Sequence, residues 1–254
     1  MLFRATHDDV ELGSEFQVHY RPGSAGANES VLMPVNMRRA TETAMANLKA
    51  AVGDLDTYVM NKLGYKTKTD LFDAFMALQV DTVAAMIYNL ESNNRGVIIA
   101  DQTGVGKGRQ AAAMIRYALM NNMVPVFVTA KANLFTDMYD DMLDIGEASG
   151  VPFIFNDDGG FVVDREGGPN KYKTKPAARK AAFAQMKQGK MPAGANMLML
   201  TYSQANQTEN TQRQALEAMK EGDKKPLFIF DESHNIAGDR LKYYPKKKEM
   251  LPLV

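Results

Sequence analysis

The sequence contains no cysteine and no tryptophan, and it contains only three histidines. Without cysteine the chain has no disulfide framework, no thiolate metal site and no cysteine nucleophile. Three histidines, at positions 7, 19 and 234, argue against a zinc site built from imidazoles. Thiol chemistry is therefore excluded, and a structural zinc module is not expected.

The sequence also lacks a long apolar run and an excess of either charge. No stretch of eighteen apolar residues occurs, and the first residues, MLFRATHDDVELG, include acids and no apolar segment of the kind found in signal peptides. We therefore expect no membrane partner and a cytoplasmic protein. Lysine and arginine total 30, as do aspartate and glutamate. A basic surface for nucleic acid would have to be local.

The chain divides by pattern into three segments. Residues 1–36 are rich in Gly, Ser and Pro and predict an extended arm, and residues 37–77 predict a small helical prelude in which Asp54 caps a helix. From residue 78 to 254, helical stretches alternate with short apolar runs. The predicted strands are residues 96–100, 124–130, 151–156, 196–202 and 226–231. This alternation predicts an α/β fold, a mostly parallel sheet with helices on both faces.

One stretch interrupts that alternation. Residues 157–175 are polar and turn-rich, which predicts a long surface insertion. Residues 171–190 contain seven basic residues and no acidic one. They could follow a phosphate backbone, but a solvated charged loop is the favoured interpretation.

A glycine-rich loop lies between an apolar run and a helical pattern, in GVIIADQTGVGKGRQAAAM at residues 96–114. Gly104 and Gly106 permit a tight turn whose backbone N–H groups point inward, and the next helix presents its N-terminus to anionic oxygens. Lys107 would add a positive charge at the β- and γ-phosphates. Gly108 stands where the general motif has the Ser or Thr that ligates Mg²⁺, and Thr103 or water could replace that hydroxyl. The alternative is a glycine-rich turn that binds nothing.

Two adjacent carboxylates end a second apolar run, in PLFIFDESHN at residues 226–235. We expect Asp231 to hold Mg²⁺ and Glu232 to orient and deprotonate the attacking water. His234 occupies the position that couples the nucleotide site to nucleic acid in DEAH-type motors. The alternative is an acidic cap on a helix. The glycine-rich loop and the pair of carboxylates together favour a nucleotide-binding lobe. Each follows a predicted apolar strand, and open α/β sheets bind ligands at the edge where their strands end.

The motifs resemble those of the strawberry notch family of helicase-like ATPases, which includes phage and plasmid proteins with a fused methylase. Four blocks carry the resemblance: ADQTGVGKGRQ, VFVTAKANLFTDMYDDMLDIGE, MLMLTYSQ and FIFDESHN. The match runs from about residue 78 to 238. Gly108 is a trait of that family. The resemblance implies the first RecA-like lobe of a superfamily 2 motor, with ATP and Mg²⁺ as cofactors, in a bacterial or phage-infected cell.

The resemblance also implies roles for single residues. Gln79 is expected to read adenine, with a surface glutamine on a helix as the alternative, and Asp231 and Glu232 keep the roles given above. The phosphates are assigned to the loop and the residues after it: Thr103, Gly104, Val105, Gly106, Lys107, Gly108 and Arg109. The nucleic-acid backbone, DNA rather than RNA, is assigned to Thr129, Lys131, Asn133, Thr201 and Ser203. Strand-end capping is the alternative for Asn133 and Ser203.

A superfamily 2 motor also needs a second RecA-like lobe, which supplies an arginine finger. Residues 239–254 are too few to encode one, so we expect this lobe in another chain or in a further C-terminal part. An arginine finger contributes about 10³–10⁵ in rate, so hydrolysis by residues 1–254 alone is expected to be very slow or absent. Two other functions are open: a non-catalytic nucleotide- or DNA-binding module, and a kinase of small metabolites. The spacing of the boxes argues against the kinase.

Overall fold

The computed structural model describes residues 16–99, 104–155, 172, 174–205 and 211–233. The chain forms two compact units, Met1–Gln110 and Ala111–Val254, and their boundary falls inside a helix. Each unit has its own buried residues and is described separately below.

The N-terminal unit begins with a pair of short antiparallel strands, β1 (Gln17–His19) and β2 (Leu32–Pro34). Its helices are α1 (Val35–Val52), α2 (Leu55–Lys62), α3 (Lys68–Ala74) and α4 (Ala77–Asn93). The sequence predicted an extended arm up to residue 36, and the strand pairing between residues 17 and 34 gives the described part of that arm a defined structure.

Local capping fixes where the prelude helices start. The Asp54 carboxylate accepts a hydrogen bond from the Thr57 N–H at 2.9 Å, so the predicted N-cap of α2 is confirmed. Thr67 and Asp70 form a capping box at the start of α3, in which each side chain accepts from the backbone N–H of the other. The apolar faces of α2 and α4 bury Leu55, Val59, Val80, Val83 and Ile87 almost completely. Helical periodicity in the sequence therefore predicts these helices well.

The C-terminal unit contains most of α5 (Lys107–Met120) and a parallel sheet of β3 (Val124–Thr129), β4 (Pro152–Ile154), β5 (Met197–Thr201) and β6 (Pro226–Phe230). The strand order is β4-β5-β3-β6. In register, Thr129 pairs with Thr201, and Val128 pairs with Phe230. The remaining helices are α6 (Leu134–Asp144), α7 (Pro176–Met186), α8 (Tyr202–Ala205) and α9 (Thr211–Lys220). The predicted α/β class with a parallel sheet is confirmed.

Helices cover both faces of this sheet. On one face, residues of α7 and α9 such as Phe183 and Leu216 form a core cluster with alternate residues of β3, including Val126 and Val128. On the other face, Met142 of α6, Leu119 of α5 and Met197 of β5 meet around Gly150. Strands covered on both faces are apolar throughout, and for this reason β3 and β5 are recognisable from composition alone.

The predicted strand at residues 96–100 is wrong for residues 96–99. These residues form no strand in the described part of the chain, Ile98 is 86% exposed and Val97 is 39% exposed. A strand requires a neighbour that takes its backbone hydrogen bonds, and apolar composition alone does not supply one. Residue 100 lies outside the described residues.

Two further elements were not predicted. Helix α7 begins with Pro176 at its first position, which favours helix initiation, yet the basic stretch around it predicted a loop. The four-residue helix α8 follows β5 directly, and the Gln204 side chain accepts a hydrogen bond from the Thr201 N–H.

Among the described helices, none taken singly has the length and apolar character needed to cross a membrane. The bent pair α3 and α4 meets that test only when the two helices are counted together.

Candidate functional site

The glycine-rich loop has the backbone geometry that phosphate binding needs. Gly104 has φ +96° and Gly106 has φ +72°, a region that residues with a Cβ rarely adopt. Helix α5 then begins at Lys107. Lys107 and Gly108 are both half-buried in the first turn of α5. The loop therefore leads directly into a helix N-terminus, where unsatisfied N–H groups and the helix dipole favour anions.

Gln79 ties this loop to the first turn of α4. Its side-chain Oε1 accepts from the Met76 N–H at 2.9 Å, and its Nε2 donates to the carbonyl of Val105 at 3.0 Å and to that of Gly106 at 3.4 Å. The side chain is 3% exposed. A Cβ at Gly106 would collide with the amide nitrogen of Gln79, so the end of that side chain would have to shift, and the positive φ of Gly106 is the stronger reason for glycine there. The expected contact of Gln79 with adenine stays a prediction, whereas its contact with the loop is a structural role that the sequence did not reveal.

Arg109 links the loop and the start of α5 to α3. Its backbone N–H donates to the Gly106 carbonyl at 3.1 Å, and its guanidinium donates to the carbonyl of Ala74, the last residue of α3, at 3.2 Å. The side chain thus has a structural partner besides the phosphates assigned to it. Thr103 lies outside the described residues, so its proposed hydroxyl contribution stays a prediction.

The second motif, which contains Asp231 and Glu232, lies at the edge of the parallel sheet where the strands end. Asp231 directly follows β6, and its backbone N–H donates to the Val128 carbonyl at 2.9 Å. The Thr129 hydroxyl donates to Asp231 Oδ2 at 2.8 Å, and the Tyr202 hydroxyl donates to the Asp231 backbone carbonyl at 2.6 Å. The main chain of Asp231 is therefore held by β3 and by Tyr202 of α8, and its carboxylate is held by β3.

Glu232 occupies an unusual backbone position. Its φ is +53°, in the left-handed region that residues with a Cβ populate rarely, and its side chain is exposed. The chain turns sharply here and brings Glu232 to the surface beside Asp231. Such strained positions cluster at functional sites, which agrees with the catalytic role expected for this carboxylate.

Both carboxylates affect the pKa of the nearby Tyr202 phenol. Burial raises the pKa of its phenol above the ordinary value of 10.0, and the negative charges of Asp231 and Glu232 raise it further. The ring stacks on Phe230 with 6.3 Å between centroids. The Tyr202 hydroxyl therefore stays protonated, and able to donate to Asp231, throughout the neutral pH range.

The residues expected to face nucleic acid fall into two groups. Lys131, Asn133 and Ser203 are exposed in the segments that follow β3 and β5. Thr129 is fully buried and its hydroxyl donates to Asp231, and its expected contact with nucleic acid stays a prediction. Thr201 is 7% exposed and its hydroxyl hydrogen-bonds with that of Ser203 at 2.9 Å. His234 lies outside the described residues.

The sequence reasoning missed the residues that hold the site together. Tyr202 was not singled out, and Thr129 was given a different role. The available signal was register: if the strands ending in Thr129 and Phe230 are neighbours, then Thr129 and Asp231 must lie at the same edge. Strand order is a tertiary property, so this signal becomes usable only once the sheet is known.

A cavity of about 300 Å³ in the C-terminal unit contains none of the predicted site residues. Its lining is rich in apolar side chains: Leu119, Met120, Met123, Val124 and Met191. It lies where β3 and β5 begin, whereas parallel α/β sheets bind their ligands where the strands end. We assign no ligand to it.

Each of the two units, taken by itself, contains donors suited to one part of a nucleotide with its divalent cation. The N-terminal unit provides glycine backbone with positive φ, a lysine and a helix start, which suit phosphate oxygens. The C-terminal unit provides carboxylate oxygens at a strand end, the ligand type preferred by Mg²⁺. Among the described residues there is no cluster of three or more His, Asp or Glu side chains that could hold a metal without such a ligand.

Comparison with known proteins agrees with this geometry. A search of curated proteins found no match to the chain. The family model described as P-loop containing NTP hydrolase pore-1 matches residues 73–250, which is more than half of the chain and includes both motif boxes. The protein therefore belongs to the family of P-loop containing NTP hydrolases described by that model.

Proposed function

We propose that this protein binds ATP with Mg²⁺ and forms the ATP-hydrolysing lobe of a nucleic-acid-dependent, superfamily 2 helicase-like motor of the strawberry notch type. The observation that carries the nucleotide part is the loop of Gly104 and Gly106, which has positive φ at both glycines and opens into α5 at Lys107. The family match supports nucleotide binding and hydrolysis independently.

In this proposal, different groups of the chain bind the phosphates, hold the cation and activate the attacking water. Lys107 and the N–H groups at the start of α5 bind the phosphates, and Gln79 holds the loop in that conformation through the Val105 carbonyl. Asp231 would hold Mg²⁺, which supplies charge neutralisation at the phosphates when it is bound. Glu232 orients the attacking water and takes its proton.

Nucleotide binding is tested with a fluorescent ATP analogue on the purified chain. We expect Lys107→Ala to weaken binding about 10- to 100-fold, because a charge-assisted contact to phosphate is lost. Asp231→Ala should weaken binding in Mg²⁺ and leave binding in EDTA unchanged. Lys187→Ala and Asp223→Ala remove exposed charges elsewhere and serve as matched controls. A folded wild-type chain with no nucleotide affinity would contradict the proposal.

Nucleic-acid binding is the finer part of the proposal, and it rests on the family resemblance and on the exposed Lys131, Asn133 and Ser203. We expect the chain to bind labelled single-stranded DNA, with DNA favoured over RNA of the same sequence. Lys131→Ala should weaken that binding and lower its salt dependence, because one phosphate contact is removed. Anisotropy titrations at several salt concentrations measure both effects, with Lys220→Ala, an exposed lysine outside the basic stretch 171–190, as the control. Unchanged affinity in Lys131→Ala would remove this residue from the interface.

The resemblance also implies a second RecA-like lobe, in another chain or in a C-terminal part, that supplies an arginine finger. We expect residues 1–254 alone to hydrolyse ATP very slowly, and a separately produced second lobe to accelerate hydrolysis. Glu232→Gln should abolish that acceleration while ATP still binds. Sustained inactivity with intact nucleotide and DNA binding would instead indicate a non-catalytic binding module.

A further inference from the structure

Among the residues that the structure describes, three hydrogen bonds hold Asp231 at the end of β6, and one of these acts on its carboxylate. The main chain is held through the Val128 carbonyl and the Tyr202 hydroxyl. The carboxylate is held by the Thr129 hydroxyl, which donates to Oδ2 at 2.8 Å. The rotamer of the Asp231 side chain is therefore controlled by Thr129.

Thr129 is well placed to make this contact. It is the last residue of β3, the strand that lies between β5 and β6, and it is 0% exposed. A β-branched side chain in a strand has few accessible χ1 rotamers, so its hydroxyl points in a fixed direction. A hydroxyl has a single donor hydrogen, and here that hydrogen is directed at Asp231.

We propose that Thr129 is a positioning residue for the divalent cation: it holds Oδ2 of Asp231 so that Oδ1 is presented to Mg²⁺. This inference rests on the proposed function. Hydrogen bonds from outside the ligand shell orient metal-binding carboxylates and typically change metal affinity about 10- to 100-fold when they are removed. Gly108 gives the inference added weight, because the phosphate loop lacks the hydroxyl that usually helps to ligate the cation.

A purely structural role for Thr129 makes a different prediction. If its hydroxyl only ties β3 to β6, its loss lowers stability and leaves the Mg²⁺ dependence of nucleotide binding unchanged. The two roles therefore separate in a comparison of nucleotide affinity with and without Mg²⁺.

The experiment uses Thr129→Val, which keeps the shape and removes the hydroxyl, Thr129→Ser, which keeps the hydroxyl, and Thr82→Val as the control. Thr82 is a half-buried threonine whose hydroxyl bonds to its own helix at the Leu78 carbonyl. Fluorescent ADP is titrated in EDTA and then at increasing Mg²⁺. We expect unchanged affinity in EDTA, a Mg²⁺ half-saturation about 10-fold or more higher in Thr129→Val, and recovery in Thr129→Ser.

Folding is checked by circular dichroism, and Thr129→Ala provides a second variant without the hydroxyl. A folded Thr129→Val or Thr129→Ala with the wild-type Mg²⁺ dependence would overturn the inference and leave the proposed function intact. A Thr129→Ser variant as defective as Thr129→Val would overturn it too. If the wild-type chain binds nucleotide without any effect of Mg²⁺, both this inference and the proposed role of Asp231 are wrong.

Discussion

Two aspartates of the N-terminal unit show how their surroundings move a pKa in opposite directions. Hydrogen bonds from Lys68 and Thr57 lower the pKa of Asp54 to about 2. Burial raises the pKa of Asp81 above 3.8, and the charge of Asp56 raises it further, against the lowering effect of hydrogen bonds from three groups. These groups are Tyr20, Gly23 and Ser24. The two carboxylates therefore contribute to stability with opposite pH dependence.

The Asp54 contribution has a defined pH window. Because its folded pKa is lower than the unfolded value of 3.8, the stabilisation is complete above pH 4 and is lost as pH falls towards 2. We expect Asp54→Ala to cost about 1 kcal/mol at pH 7, the usual value of an N-cap, since the pair with Lys68 is exposed and adds little. Urea denaturation of both proteins between pH 7 and pH 2.5 measures the difference, which should shrink with acid. A difference independent of pH would contradict this assignment.

The contribution of Asp81 to stability changes with pH in the opposite direction. Its raised pKa means that the folded state takes up a proton more readily than the unfolded state does. Its contribution to the free energy of unfolding therefore grows as pH falls through that raised pKa, and levels off below 3.8. At neutral pH the cost of burying the charge is offset by the hydrogen bonds that Asp81 accepts.

At the scale of elements, those hydrogen bonds hold a strap formed by residues 20–27. Asp81 of α4 accepts from the Tyr20 hydroxyl, the Gly23 N–H and the Ser24 N–H, at 2.7–3.0 Å. Asp56 of α2 accepts from the Ser24 hydroxyl and the Ala25 N–H. The strap ends where the Ala77 N–H donates to the Ala27 carbonyl, at the first residue of α4. Two buried carboxylates thus hold the strap, Asp56 on α2 and Asp81 on α4, the helix that also carries Gln79.

Replacing Asp81 should loosen the strap. Asp81→Asn keeps the size of the side chain but turns one acceptor into a donor that faces donors, which costs about 1–3 kcal/mol. We expect a lower free energy of unfolding and faster amide exchange at Gly23 and Ser24. Asp73→Asn, at an exposed position of α3, is the matched control. Wild-type exchange at Gly23 and Ser24 in a folded Asp81→Asn protein would show that the carboxylate does not fasten this segment.

Composition predicted some elements well and others poorly, for physical reasons. Strands β3 and β5 are apolar throughout because helices cover both of their faces, so the sequence predicted them. Asp54 caps α2 through a contact with a residue three positions away, so this cap was predicted too. Residues 96–99 are as apolar as those strands, yet they are not paired in the described structure. Pairing depends on partners far along the chain, which a local pattern does not encode.

In the candidate site, too, some residues could be proposed from the sequence and others could not. The glycines, Lys107, Asp231 and Glu232 could be proposed from the sequence because each belongs to a short motif of neighbouring residues. The contacts of Gln79 with the loop and of Thr129 with Asp231 span 26 and 102 residues of sequence. No motif records a contact over such a separation, so these two positioning roles became visible only in the folded chain.

At the scale of the whole molecule, the family match extends over both compact units. It begins at residue 73, in α3, and continues to residue 250. The elements proposed to bind the phosphates belong to the N-terminal unit, and the carboxylates proposed to act on Mg²⁺ and water belong to the C-terminal unit. The proposed function therefore requires that nucleotide and Mg²⁺ affect residues in both units.

Amide hydrogen exchange with and without a slowly hydrolysed ATP analogue and Mg²⁺ tests this requirement most directly. The account predicts slower exchange at residues 104–110 with nucleotide and further slowing at residues 230–232 when Mg²⁺ is present, and in Lys107→Ala both effects should need about 10- to 100-fold more nucleotide. Unchanged exchange at residues 104–110 in a folded wild-type chain, with saturating analogue and Mg²⁺, would contradict the account.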